Sequence, residues 1–457
     1  MEIVARKSVL KGSVQVPGSK SHTIRALLLA AMADGTSYIH NPLPSADCLS
    51  TSAVLPLLGA QVDLGSSGDK TGGLWTVKGA GDSFHLPDDV VNVGDSGSLL
   101  YFLSAIASTF EGWSVFTGDE SIRKRPVHHV VKALSQLGAE CHLAKPGSTT
   151  CPLLIRGPVK SGKVITEGEI SSQYISGLMM AALRVDGGIE IELTNPKETP
   201  YLTMTQKWLE STGAQVFISD DYKKIKVNGR HKIKAFDRTV PSDWEAVAFP
   251  LIAALITGSS IVIEGIDSSG TQGDDEIVNV LKKLGAQIEW DKQKETITVL
   301  KGSRLSTENL PEKELHVKIS PFPDAICALA VAACFTEGKV IIEDAAVCRR
   351  KETDRIKTMT SLLTLLGADV EEGEDFMIIK GHSPFNADGS KNPLFKIHGG
   401  TVESYNDHRI AMSLACLGLA LEENDSLTVK DAECCAVSFP HFYEVMKTIG
   451  ADFTEKA

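Results

Sequence analysis

One short phrase, Leu-x-x-Leu-Gly-Ala-x-Val with close variants, recurs six times along this chain. Its glycine falls at Gly59, Gly138, Gly213, Gly285, Gly367 and Gly450, each followed by alanine. The intervals all lie between 72 and 83 residues, which marks an internal repeat and constrains the fold more than any other feature of the sequence. The phrase has a local physical reading. An amphipathic run such as Val280–Leu284 reaches a glycine, which can take the left-handed backbone that ends a helix. An alternating stretch such as Ala286–Trp290 then reads as a strand. Each unit has room for a second helix and more strands. Thr23–Met32, Gln173–Leu183, Ala246–Ile256 and Asp324–Cys334 read as such helices, apolar on nearly all faces and therefore buried inside a ring of sheets.

The 457 residues imply two or three domains. No low-complexity tract or long linker divides them, so three repeats per half is the natural division. With 42% hydrophobic and 23% charged residues, the composition excludes a disordered or fibrous chain. The net charge of −12 argues against nucleic acid or an anionic membrane as a partner, while leaving room for a small anion at a local cluster of cations. No apolar run approaches the ~18 residues that span a bilayer. Met1-Glu2-Ile3-Val4 lacks the basic-then-apolar pattern of a leader. Nine cysteines without a CxxC pair read as reduced thiols in a cytoplasmic protein. Cys434 and Cys435 read as part of a buried strand.

Six segments carry candidate chemistry. Pro17–Arg25 places Lys20, Ser21 and Arg25 at the start of an apolar helix, which suits either an anion site or an ordinary serine-capped start. Gly118–Pro126 clusters Arg123, Lys124 and Arg125 before a proline that suits a first helical turn. It reads as a phosphate or carboxylate clamp or as a solvated basic loop. Ser171, Ser172 and Gln173 precede a buried helix and suit capping, oxyanion binding or both. Arg349–Arg355 sets Glu352 among cations, as an ion-pair partner or an acid–base group. Asn406-Asp407-His408-Arg409 opens another buried helix. Asp324, from position alone, reads first as a helix cap. Taken together, donor-rich helix starts in both halves would make a positive cleft suited to multiply charged anions.

The phrases PGSKSHTIRALLLAA, GDESIRKRP, SSQYISGLMMAA, TQGDD, FPDA, KETDRI and YNDHRIAM occur in this order. By them the whole chain resembles the 5-enolpyruvylshikimate-3-phosphate synthases (3-phosphoshikimate 1-carboxyvinyltransferases) of the enolpyruvyl transferase family. The resemblance implies a two-domain inside-out α/β barrel of six βαββαβ repeats, three per domain, with the active site in the interdomain cleft. One domain would hold residues 21–240 and the shikimate-3-phosphate side. The other would hold 1–20 with 241–457, the phosphoenolpyruvate side and the catalytic carboxylates. The implied reaction moves the carboxyvinyl group of phosphoenolpyruvate to the 5-hydroxyl of shikimate 3-phosphate by addition and elimination, with no metal or other cofactor. By motif position, Asp324 would take the hydroxyl proton, Glu352 would serve the methylene, and Lys20 would bridge both substrates. Gly97, Arg125, Gln173, Arg355, His408 and Arg409 would meet phosphoenolpyruvate. Ser21, Arg25, Ser171, Ser172, Gln173, Tyr201, Asp324 and Lys351 would meet shikimate 3-phosphate. The resemblance also implies a monomer in the cytoplasm, with no nucleic-acid or membrane partner.

The chain departs from the family's phrases in four places. Its Asn-Ala-Gly-Thr loop is Asp95-Ser96-Gly97-Ser98, with Tyr101 in place of an arginine. A serine beside the sugar-ring phosphate is Glu198. A lysine before Ser-Phe-Pro is Val437, and a Ser-Ser pair after Asp243 reads as Trp244-Glu245-Ala246. These leave two expectations: the same reaction with neighbouring cations compensating, or a carboxyvinyl transfer to an acceptor that lacks the phosphate or bears an amine. The peptidoglycan branch would carry a cysteine within Gly118–Arg125, and none is there.

Overall fold

The computed structural model describes residues 1–65, 73–301 and 304–456. The chain divides into two compact units, Gly18–Pro241 and Met1–Pro17 with Ser242–Ala457. Among the described residues each unit contains three four-stranded sheets, and all six sheets have one strand plan. In one, Gly162–Glu167 runs parallel to Ile189–Thr194, which pairs antiparallel with Lys224–Val227, which pairs antiparallel with Val216–Ile218. The register sets Val164, Ile191 and Ile225 side by side, and all three are buried. Alternation along these strands turns one face to the core and the charged residues outward.

The repeat glycines do what the sequence asks of them. Gly59, Gly138, Gly213, Gly285, Gly367 and Gly450 have φ of 94°, 91°, 96°, 91°, 93° and 99°. This left-handed region is costly for a residue with a Cβ. Each glycine ends an amphipathic helical turn and leads into a strand, and that strand lies at the edge of its sheet in every repeat.

The apolar helices form the two cores. Lys20–Met32, Gly97–Ala107 and Ser172–Ala182 belong to one unit; Trp244–Ile256, Ile326–Cys334 and His408–Gly418 belong to the other. Their middle turns are buried on every side. Helix Ser172–Ala182 approaches helix Gly97–Ala107 closely because Gly177 faces it: a Cβ there would lie 2.5 Å from the Tyr101 carbonyl oxygen. That approach brings the two helix starts, and the polar residues on them, together.

Two sequence expectations change. Cys434 and Cys435 are buried but lie in a 3₁₀ turn, Ala432–Val437, because Asp431 takes a left-handed φ of 53° and ends the strand Ser426–Lys430. Pro126 sits before the helix His128–Gln136, whose N-cap is Val127, so it does not occupy a first helical turn. Among the described residues no helix is long and apolar enough to cross a membrane.

Candidate active site

In the unit Gly18–Pro241, the start of helix Lys20–Met32 carries three of the expected residues. Lys20 Nζ lies 3.1 Å from the Asp47 carboxylate. Arg25 is fully buried. It donates from Nε to Thr205 Oγ1 at 2.9 Å, from Nη1 to the Ser21 carbonyl at 2.9 Å, and from Nη2 to the Tyr201 carbonyl at 3.3 Å and Ser176 Oγ at 3.4 Å. Its guanidinium also lies over the Phe102 ring, 4.9 Å from the centroid. Burial pushes this guanidinium down to about 9, which still leaves it charged at neutral pH. Arg25 thus ties Ser21 to Tyr201 from within.

Ser171 caps helix Ser172–Ala182 by accepting from the Gln173 N–H at 3.2 Å. Gln173 Nε2 donates to Ser98 Oγ at 2.8 Å, joining the starts of the two neighbouring helices. Ser172 donates from its backbone N–H and its hydroxyl to Glu198 Oε2, at 2.9 and 3.0 Å. The three cations of Gly118–Pro126 separate. Lys124 pairs with Glu120 at 2.8 Å on the surface, Arg123 donates to the Gly118 carbonyl, and Arg125 lies against Gly97. A Cβ on Gly97 would collide with Arg125 Nη1. Asp95, half-buried, has its carboxyl raised to about 6, by burial first and the Asp47 carboxylate second, with Lys20 opposing.

In the other unit the centre is Arg355, whose side chain is 0% exposed. Its Nε and Nη2 donate to the two Asp407 oxygens at 2.9 and 3.2 Å. Nη2 also meets Glu352 at 2.7 Å, and Nη1 donates to Asp324. Lys351 Nζ adds a longer contact to Asp324 at 3.4 Å. Burial alone would lower the Arg355 pKa; Asp407, Glu352 and Asp324 outweigh it and hold the pKa well above its usual value. A permanent buried cation is therefore set among three carboxylates. Asp324 is not at an N-cap position: it sits inside the 3₁₀ turn Pro323–Ala325, and its oxygens accept from Arg355 and Lys351. Asp407 does cap, accepting from the Arg409 N–H at 2.9 Å, and positions His408 and Arg409 in the first turn of a buried helix. Arg409 donates to the Glu245 carboxylate and, at 3.2 Å, to the Glu245 carbonyl.

Asp47, Asp407 and Glu245 were not among the expected site residues. Asp407 had a signal, since an aspartate just before a helical His-Arg pair is a cap; Asp47 and Glu245 meet their cations only through the fold. The phrase TQGDD proves to brace a helix start. Gln272 accepts from the Trp244 N–H at 3.0 Å and donates to the Ser242 carbonyl and Asp267, both at 2.8 Å.

The model of the EPSP synthase (3-phosphoshikimate 1-carboxyvinyltransferase) family matches residues 4–446. The chain belongs to that family. The 3-phosphoshikimate 1-carboxyvinyltransferase of Acetivibrio thermocellus is 34% identical over 454 residues, covering 99% of each chain. That of Methanococcus aeolicus is 34% identical over 461 residues, covering both chains fully. A solved structure of EPSP synthase from Acinetobacter baumannii is 28% identical, with a TM-score of 0.77 over 99% of this chain and all of that one. The six-repeat, two-domain α/β architecture expected from the sequence is thus that of EPSP synthases, and the chain is a transferase by family.

Within this family frame the departures acquire geometry. Tyr101 Oη donates to the Pro126 carbonyl at 3.0 Å, so the phenol supports the segment that carries Arg125. Glu245 places a carboxylate on Arg409, and Glu198 places one on Ser172. Val437 ends a 3₁₀ turn half-buried, with no charge to offer.

Proposed function

We propose that the chain works as its family does, and that its own residues divide the reaction as follows. It transfers the carboxyvinyl group of phosphoenolpyruvate to the 5-hydroxyl of shikimate 3-phosphate, releasing inorganic phosphate. The hydroxyl oxygen bonds to C2 of phosphoenolpyruvate while its proton leaves to a base. The methylene carbon, C3, gains a proton, and a tetrahedral adduct results. Elimination then removes a proton from C3, restores the double bond and expels phosphate. Asp324 is the base for the hydroxyl, and Glu352 gives and retakes the C3 proton. Lys20 bridges the substrates and assists the transfer.

The observation that carries this assignment is the single buried guanidinium of Arg355 touching both Asp324 and Glu352. One rigid cation orients both carboxylates, and positioning of this kind is a large part of catalysis. Arg355, Arg409, His408, Arg125, Gln173 and Gly97 are assigned to phosphoenolpyruvate. Ser21, Arg25, Ser171, Ser172, Gln173, Tyr201, Asp324 and Lys351 are assigned to shikimate 3-phosphate, with Arg25 acting through Ser21 and Tyr201. The net charge of −12 argues against nucleic acid as a partner, while the local cations of the site leave room for small anionic substrates. The reading includes a monomer working in the cytoplasm.

Product analysis tests it. Incubation with both substrates should give a species with the mass of 5-enolpyruvylshikimate 3-phosphate, and Asp324→Asn should yield almost none. Recovery of both substrates unchanged from folded wild-type protein would refute the reading.

A further inference from the structure

Glu198 is an unusual residue to bury. Its backbone takes a left-handed φ of 51° before Pro200 and Tyr201 open the helix Thr199–Ser211, and the residue is 3% exposed. Its carboxylate reaches the start of helix Ser172–Ala182, where Oε2 accepts from both the Ser172 N–H and the Ser172 hydroxyl. The next N–H, that of Gln173, is taken by Ser171 Oγ. An N–H and a hydroxyl converging at a helix start form the kind of seat that takes a phosphate oxygen. Here a carboxylate of the protein sits in that seat.

We infer that Glu198 is an internal occupant of the seat for the acceptor's phosphate, and that it sets how strongly the protein prefers a phosphorylated over an unphosphorylated acceptor. The inference rests on the function proposed above, which puts the ring phosphate on Ser171 and Ser172. Two anions cannot share one pair of donors. Like charges brought to neighbouring positions in a buried site repel each other. The phosphate therefore binds only as Glu198 leaves Ser172, and the cost of that exchange is subtracted from its affinity. An acceptor without the phosphate leaves Glu198 in place and carries no such cost. Negative selection of this kind works by placing an unfavourable charge rather than by adding a contact.

The experiment compares wild type, Glu198→Gln and Glu198→Ser. Dissociation constants are measured by calorimetry for shikimate 3-phosphate, shikimate and inorganic phosphate, and thermal melting checks that each variant is folded. Glu198→Gln keeps the acceptor oxygen and removes the charge; Glu198→Ser removes the reach as well. Both should bind shikimate 3-phosphate and inorganic phosphate more tightly, by about tenfold or more for Glu198→Ser, while shikimate stays within about twofold. Unchanged or weaker binding of shikimate 3-phosphate in both folded variants would overturn the inference, as would an equal shift for shikimate. Turnover is followed in parallel. Wild-type turnover with unshifted affinities defeats the Glu198 inference alone. Shifted affinities without turnover in any protein defeat the proposed function alone.

Discussion

Arg355 and Asp407 meet edge to edge, Nε to Oδ2 at 2.9 Å and Nη2 to Oδ1 at 3.2 Å, with neither side chain exposed. The same aspartate caps the helix that carries His408 and Arg409, so one carboxylate fixes two cationic elements of the site. Asp407→Asn keeps a capping oxygen but removes the charge. It should lower stability by about 3 kcal/mol, the usual scale for breaking a buried pair from one side, and urea unfolding would measure it. A loss under about 1 kcal/mol would mean that Asp324 and Glu352 already compensate Arg355.

Asp324 and Glu352 hold outer positions on the same guanidinium. Asp324→Asn and Glu352→Gln each leave Arg355 with two carboxylate partners. Both should therefore fold, with stability changed by about 1 kcal/mol, while kcat falls by roughly 10²- to 10⁴-fold. Steady-state rates beside melting curves check this. A variant with near-wild-type kcat would remove that residue from proton transfer.

Asp95 gives a pH dependence with a definite sign. Its folded carboxyl is raised to about 6, above an ordinary value of 3.8. An acid raised on folding binds protons more readily in the folded state, so the stability it confers falls as pH rises from about 4 to about 6 and is level above. Asp95→Asn removes that loss. The variant should match wild type near pH 4 and exceed it at pH 8 by about 1–2 kcal/mol, after discounting for solvent screening of a half-exposed group. Equal stability at both pH values would contradict the burial argument.

Gly97 faces Arg125 without room for a methyl group. Gly97→Ala should push the guanidinium aside and raise the KM for phosphoenolpyruvate about tenfold, with the KM for shikimate 3-phosphate little changed. Equal rises for both substrates would mean that Arg125 does not discriminate between them.

The repeat glycines separate backbone from packing costs. A Cβ on Gly138 meets nothing within 4 Å, whereas one on Gly367 collides with the Lys396 carbonyl oxygen. Gly138→Ala should cost about 1 kcal/mol, the left-handed backbone alone. Gly367→Ala should cost clearly more, and chemical denaturation of the two variants would show the difference.

Most of the fold could be read from the sequence because its repeat rests on local physics. A glycine that must turn left-handed leaves the same mark six times, and buried helices are apolar on every side. Helix Gly97–Ala107 is buried along its whole length, but its start lies within the loop phrase Asp95-Ser96-Gly97-Ser98, which hides it in the sequence. The site was legible as motifs but not as partnerships. KETDRI and NDHRIAM name Arg355 and Asp407 without saying that they pair across 52 positions. Asp324 looked like a cap because a carboxylate before an apolar helix usually is one, and only the fold brings Arg355 close enough to claim it. Glu198 was visible as a misplaced charge; that it reaches Ser172 depends on a left-handed backbone that no residue type announces.

The most direct measurement is the rate at which inorganic phosphate is released from phosphoenolpyruvate by wild-type protein, with shikimate 3-phosphate present, omitted, or replaced by shikimate. The account predicts sustained release that requires shikimate 3-phosphate and matches enolpyruvyl product one for one. No release above background from folded protein, or release as fast with shikimate or with no acceptor, would contradict it.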